Sequence, residues 1–144
     1  MIVIDSSVFV DFLFDRNDKR HKIAFSFFQS IRNHIVYIPK VAIVEIIAIT
    51  HRLGIISEKN MIINLFNDFN MVKEEEIFDS AMELAGAYHP RAIDSYFMAT
   101  ALLTGSILVS NDRRMVNNSQ GVVEAFYLLD DHELIQEKLE STLK

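Results

Sequence analysis

The sequence predicts an α/β domain built on a mostly parallel sheet. Three observations carry that prediction. Short apolar runs rich in β-branched residues (Ile2-Val3-Ile4, Ile35-Val36-Tyr37-Ile38, Ile107-Leu108-Val109) show no polar alternation, as strands buried on both faces require. Segments with apolar residues at three- and four-residue spacing lie between them, so strands and helices alternate along the chain. No repeat, low-complexity tract or linker divides the 144 residues, and residues 1–144 read as one domain with one core.

The first strand, Ile2 to Ile4, runs straight into Asp5, Ser6 and Ser7. Asp5 then stands at a strand's carboxyl end, the edge where open parallel sheets form ligand sites. Ser6 or Ser7 is the expected N-cap of the next helix, a short buried one through Val8-Phe9-Val10-Asp11-Phe12-Leu13-Phe14. Asp15 to Asp18 is a turn, and apolar positions 23, 24, 27, 28 and 31 predict a helix over Lys19 to Asn33. The second strand ends at Pro39, and a helix runs from about Lys40 to Leu53 with Gly54 just past its end. Glu45 interrupts the near-continuous apolar stretch Val41 to Ile49 and shares a helix face with Val41, Ala48, Ile49 and Arg52. An ionised group on so apolar a face needs a charged partner or a cation.

Ser57 is the expected cap of a helix continuing through Met61, Ile62, Leu65, Phe66 and Phe69, and Met71-Val72 is a short strand. Glu74-Glu75-Glu76 opens a helix through Ala85, where three acids complement the dipole. His89-Pro90-Arg91 breaks the chain before a helix over Ala92 to Leu103, closed by Gly105, with Asp94 at or just inside its start. The strand Ile107 to Val109 leads into Ser110-Asn111-Asp112, repeating the arrangement at Asp5. Gly121 to Tyr127 offers an edge strand, and Asp130-Asp131 caps a last helix with apolar positions 134, 135 and 139. Taken singly, Asp94 and Asp112 are explained as caps and Asp5 as a turn residue.

Composition narrows the function. Half of the residues are hydrophobic and 24% charged, an ordinary globular mix. The absence of cysteine excludes disulfides and thiolate chemistry and fits a cytoplasmic protein. The N-terminus lacks the basic region of a signal peptide, and no apolar run is long enough for a bilayer, so no membrane association is expected. A net charge of −6 argues against binding nucleic acid through its phosphates alone. Carboxylates loaded with divalent cations are neutralised, however. Of the two basic clusters, Lys19-Arg20-His21-Lys22 reads as solvated surface, and Arg113-Arg114, beside Asp112, is a candidate for phosphate contacts.

Two aspartates at the ends of neighbouring strands, a helix-borne glutamate and a helix-start aspartate can share one crevice. Four such carboxylates could not all stay ionised together without a cation. An all-oxygen donor set suits Mg²⁺ or Mn²⁺, and such an ion activates water for attack on a phosphodiester.

In this order and local context the four acids resemble those of the PIN domain, most closely the VapC-type toxin ribonucleases. Ile4-Asp5-Ser6-Ser7 resembles the family's aspartate-plus-hydroxyl opening, and Ile43-Val44-Glu45-Ile46 its second acid. Ile93-Asp94-Ser95-Tyr96-Phe97-Met98-Ala99 resembles the third, and Leu108-Val109-Ser110-Asn111-Asp112 the fourth. The likeness spans Ile2 to about Met115; residues 58–75 carry no family signature, and Met115 stands where the family often has an aromatic. The resemblance implies a three-layer α/β/α sandwich and an endoribonuclease in which Asp5, Glu45, Asp94 and Asp112 hold Mg²⁺ or Mn²⁺. It also implies that Ser7 and Ser110 orient carboxylates, that the chain forms a homodimer, and that a small antitoxin holds it inactive. The competing expectations are a PIN-like RNA-processing nuclease without an antitoxin and a non-catalytic binding or scaffold module. A haloacid-dehalogenase-like phosphatase would want Asp at position 7, where this chain has Ser7.

Overall fold

The structure, a computed structural model, describes residues 1–14, 17–54 and 59–142. Its described elements, in chain order, are β1 (Ile2–Ile4), α1 (Ser6–Leu13), α2 (Asp18–Ser30), β2 (Val36–Pro39), α3 (Ala42–Arg52), α4 (Lys59–Leu65), β3 (Asn70–Val72), α5 (Glu74–Tyr88), α6 (Ala92–Thr104), β4 (Ile107–Ser110), α7 (Arg113–Ser119), β5 (Ala125–Tyr127) and α8 (Leu128–Thr142).

The strands form one sheet in the order β3-β2-β1-β4-β5, with every neighbouring pair parallel. Ile2, Val3 and Ile4 in β1 and Leu108 and Val109 in β4 are fully buried, as apolar runs without alternation predict. The chain moves from β1 outward to β3, then returns past β1 to β4. Right-handed crossovers place the helices of the two directions on opposite faces, which yields the three-layer α/β/α sandwich. Helix α6 lies across β1, β2 and β4 with α5 packed behind it; α1 packs on β4 and carries α2 and α3. The reversal makes a switch point between β1 and β4 at their carboxyl ends.

Phe9 of α1, fully buried, anchors the core against Phe28, Phe66 and Phe69, with ring centroids 5.1, 4.9 and 5.9 Å away. Gly105 closes α6 at φ +66°, a conformation glycine takes without strain.

Several boundaries differ from the sequence reading. Helix α1 begins at Ser6, so Asp5 and not a serine takes its N-cap position, and Ser7's hydroxyl turns back to Asp5. Pro39 ends β2 as expected, but α3 begins at Ala42 and not at Lys40. The edge strand shrinks to β5 because the backbone N–H groups of Val122 and Val123 both donate to the Ser119 carbonyl (3.1 Å each), turning the chain there. Helix α8 starts at Leu128, with Asp131 accepting from the Tyr127 N–H from inside the first turn (3.2 Å). Ile135 and Leu139 are buried there, but Leu134 is 52% exposed. Helix α4 stops at Leu65, where tight turns take over through Phe69. The expected turn at Asp15-Arg16 and the cap at Ser57 lie outside the described residues.

Candidate active site

The crevice at the β1/β4 switch point collects the acids. Asp5 follows β1 directly, and its N–H donates to the Val109 carbonyl (2.9 Å), extending the ladder and locking the backbone. Its Oδ2 accepts from Ser7 Oγ (2.6 Å) and Ser110 Oγ (2.8 Å). Each hydroxyl in turn accepts a backbone N–H: Ser7 from Asn111 (2.9 Å), Ser110 from Asp112 (2.9 Å). The loop after β4 is thereby fastened to the helix after β1, and Asp5 is held in one orientation.

Glu45 comes from α3, on the face it shares with Ala48, Ile49 and Arg52. All four line a cavity of about 370 Å³ together with Asp5, Ser7, Arg91, Ile93 and Asp112. Asp94 sits in the first turn of α6, is almost fully buried, and joins the group through Arg91. Arg91 Nε donates to Asp94 Oδ2 (3.0 Å), while Nη2 reaches Asp94 Oδ1 (3.5 Å) and Asp112. Asp112 is also the N-cap of α7, accepting from the Arg114 N–H (2.9 Å).

Burial and crowding disfavour the charged forms of Asp5, Glu45 and Asp94. Burial pushes the Asp5 carboxyl up against the pull of its two hydroxyl donors, and the charge of Asp112 adds to the rise. Glu45 is pushed up from 4.5 to about 7, first by burial and then by the charge of Asp5. Burial also raises Asp94, and Arg91 holds it down. Ser6 Oγ lies close enough to temper the rise at Glu45, yet it is buried without a partner in hydrogen-bonding geometry.

Sequence reading passed over the cation in this group. Arg91 looked like part of a chain break, and nothing in its local pattern announces that its side chain folds back over two acids. Arg113 and Arg114 do not line the cavity. Arg113 donates to Asp130 (2.8 Å) and stacks over the Tyr127 ring (4.2 Å), and the Arg114 side chain is exposed. A second unforeseen cluster braces the site. Asp11 accepts from Arg20 Nε (3.0 Å) and Asn111 Nδ2 (2.7 Å), tying α1 to α2 and to the loop after β4.

The four carboxylates fit a hard divalent cation in donor chemistry, in their shared excess of negative charge and in the orphaned Ser6 hydroxyl beside Glu45. As they stand, no three acidic or imidazole groups among the described residues are placed to share one ion. The Arg91 guanidinium is the cation on Asp94 and Asp112.

A three-layer parallel sandwich with acids gathered at its switch point defines a class, and the sequence agrees with it. The chain belongs to the PIN domain family, whose model matches residues 2–119. PIN domains are generally nucleases. Solved structures repeat the fold at low identity. FitAB bound to the IR36 DNA fragment superposes with a TM-score of 0.67 at 16% identity, covering 90% of this chain and 96% of that one. A toxin–antitoxin complex from Klebsiella pneumoniae gives 0.64 at 14%, covering 89% and 98%. PAE2754 from Pyrobaculum aerophilum gives 0.63 at 14%, covering 97% and 95%. No curated protein sequence matches.

Proposed function

We propose that this chain is a Mg²⁺- or Mn²⁺-dependent endoribonuclease and the toxin of a toxin–antitoxin pair, working in the cytoplasm as a homodimer. The observation that carries the nuclease reading is the convergence of Asp5, Glu45 and Asp112 on one cavity, with buried Asp94 linked to it through Arg91. The toxin reading draws on the fold shared with a toxin–antitoxin complex. The described helices include none long and apolar enough to cross a membrane.

Asp5, Glu45, Asp94 and Asp112 would hold the cation. A bound divalent ion supplies a water of lowered pKa and neutralises charge at the scissile phosphate. Ser7 and Ser110 fix the Asp5 carboxylate so that its orientation is not lost when the crevice fills. Arg52 borders the cavity from α3 and offers a guanidinium to the nucleic-acid backbone. Val44, Ala48, Ile49 and Ile93 give the cavity an apolar wall.

The test is cleavage of a panel of structured and single-stranded RNAs by purified protein, wild type beside Asp94→Asn. Cleavage is expected only with Mg²⁺ or Mn²⁺, and the variant is expected to lose it. Cleavage undiminished in excess EDTA rejects the metal reading. Cleavage of DNA but not RNA rejects the substrate assignment.

A further inference from the structure

Arg91 enters the acid pocket from the start of α6. His89, left-handed at φ 53°, and Pro90 turn the chain, and Arg91 takes the N-cap position with φ −58° and ψ 145°. Its side chain makes no cap. It lies over the acids instead, with Nε on Asp94 and Nη2 reaching both Asp94 and Asp112. It also lines the cavity shared by Asp5 and Glu45.

A guanidinium is a permanent single positive charge with planar donors that match carboxylates. A divalent ion with oxygen ligands needs those same carboxylate lone pairs, so the two compete for them. The two partners differ in freedom. The Asp94 side chain is 2% exposed and fixed in the first turn of α6, while the Arg91 side chain is 51% exposed. Arg91 can therefore swing into solvent without opening the core, leaving the acids in place.

We propose that Arg91 is a resident counter-ion of the acid pocket, displaced when a divalent cation loads, and that it sets the cation concentration at which the site fills. The proposal rests on the nuclease reading above and adds a threshold to it. Without the ion, Arg91 offsets the negative charge of Asp94 and Asp112. With the ion, it is released on a short tether.

The test is Mn²⁺ binding by titration calorimetry on the full chain, comparing wild type, Arg91→Gln and Arg91→Lys. Removing a half-exposed paired cation is expected to tighten Mn²⁺ binding roughly tenfold in Arg91→Gln. Arg91→Lys falls between, because one ammonium cannot span both carboxylates as a planar fork does. A measurement on the wild type alone guards against a variant that fails to fold. The Arg91 Nε–H resonance, slow to exchange without the ion, is expected to shift and exchange rapidly as Mg²⁺ is added. Equal or weaker Mn²⁺ binding by Arg91→Gln overturns the proposal, as does an Arg91 resonance unmoved by Mg²⁺ or an absence of Mn²⁺ binding in all three proteins. Mg²⁺-dependent RNA cleavage with equal Mn²⁺ affinities sinks the counter-ion alone, whereas cleavage undiminished in EDTA sinks the metal-dependent reading beneath it.

Discussion

Replacing Glu45 by glutamine is expected to stabilise the protein in the absence of divalent ions, by a margin that grows as pH rises from about 4.5 to about 7. The crevice raises the proton affinity of Glu45, from 4.5 to about 7. Its folded value is raised, so the folded state keeps a proton that the unfolded chain gives up. Stability therefore falls as pH climbs from about 4.5 to about 7 and stays low above that. At about 1.4 kcal/mol for each tenfold change in proton affinity, the ceiling is about 3 kcal/mol. The side chain sits partly open at the cavity mouth, and solvent screening brings this to ~1–2 kcal/mol. For a chain of this length that is a rise in melting temperature of roughly 3–6 °C. The assay is thermal melting of wild type and Glu45→Gln in EDTA at about pH 4.5 and about pH 8, the two ends of the titration. The variant should melt higher at the upper pH and with the wild type at the lower. Millimolar Mg²⁺ should then narrow or reverse the gap, because an ion that binds only the folded wild type stabilises it by mass action. A wild type and variant that melt together at both pH values would refute the claim that the crevice opposes the charge on Glu45.

Ser110→Ala removes a fully buried hydroxyl that donates to Asp5 and accepts from the Asp112 N–H. It is expected to cost ~1–3 kcal/mol, read as a lower urea midpoint with an unchanged slope; an unaltered midpoint counts against the hydroxyl bridge. Phe9→Ala empties the centre of the aromatic cluster and is expected to cost ~3–5 kcal/mol by equilibrium denaturation. A loss below about 1 kcal/mol would mean that Phe28, Phe66 and Phe69 collapse into the space.

The layered fold was legible because buried parallel strands leave a coarse mark. Ile2 to Ile4 and Ile107 to Val109 are apolar at every position, and the helices between them carry their spacing plainly. Boundaries were less so: Val122 and Val123 have the composition of a strand, but the Ser119 carbonyl captures both N–H groups. At the site, Glu45 stands out in the sequence because it breaks an apolar stretch, while Asp5 and Asp112 stand out by following buried strands. Asp94 needed its neighbours, since alone it is an ordinary first-turn acid. Arg91 and the Asp11–Arg20–Asn111 brace were not readable at all. A hydrogen bond between residues 11 and 111 depends on how α1 and the loop after β4 meet in space, and no local spacing encodes that meeting.

The two serines that grip Asp5 stand far apart along the chain, at positions 7 and 110. On the ribosome the first is made almost at once and the second some 100 residues later, a delay of about 5–20 seconds at ordinary elongation speeds. Until then β1 lacks its β4 neighbour and Asp5 has half its anchorage. A polypeptide abandoned before that point carries three of the four acids and no crevice to gather them. Under the proposed nuclease function, this order of manufacture leaves unfinished copies without an assembled acid pocket.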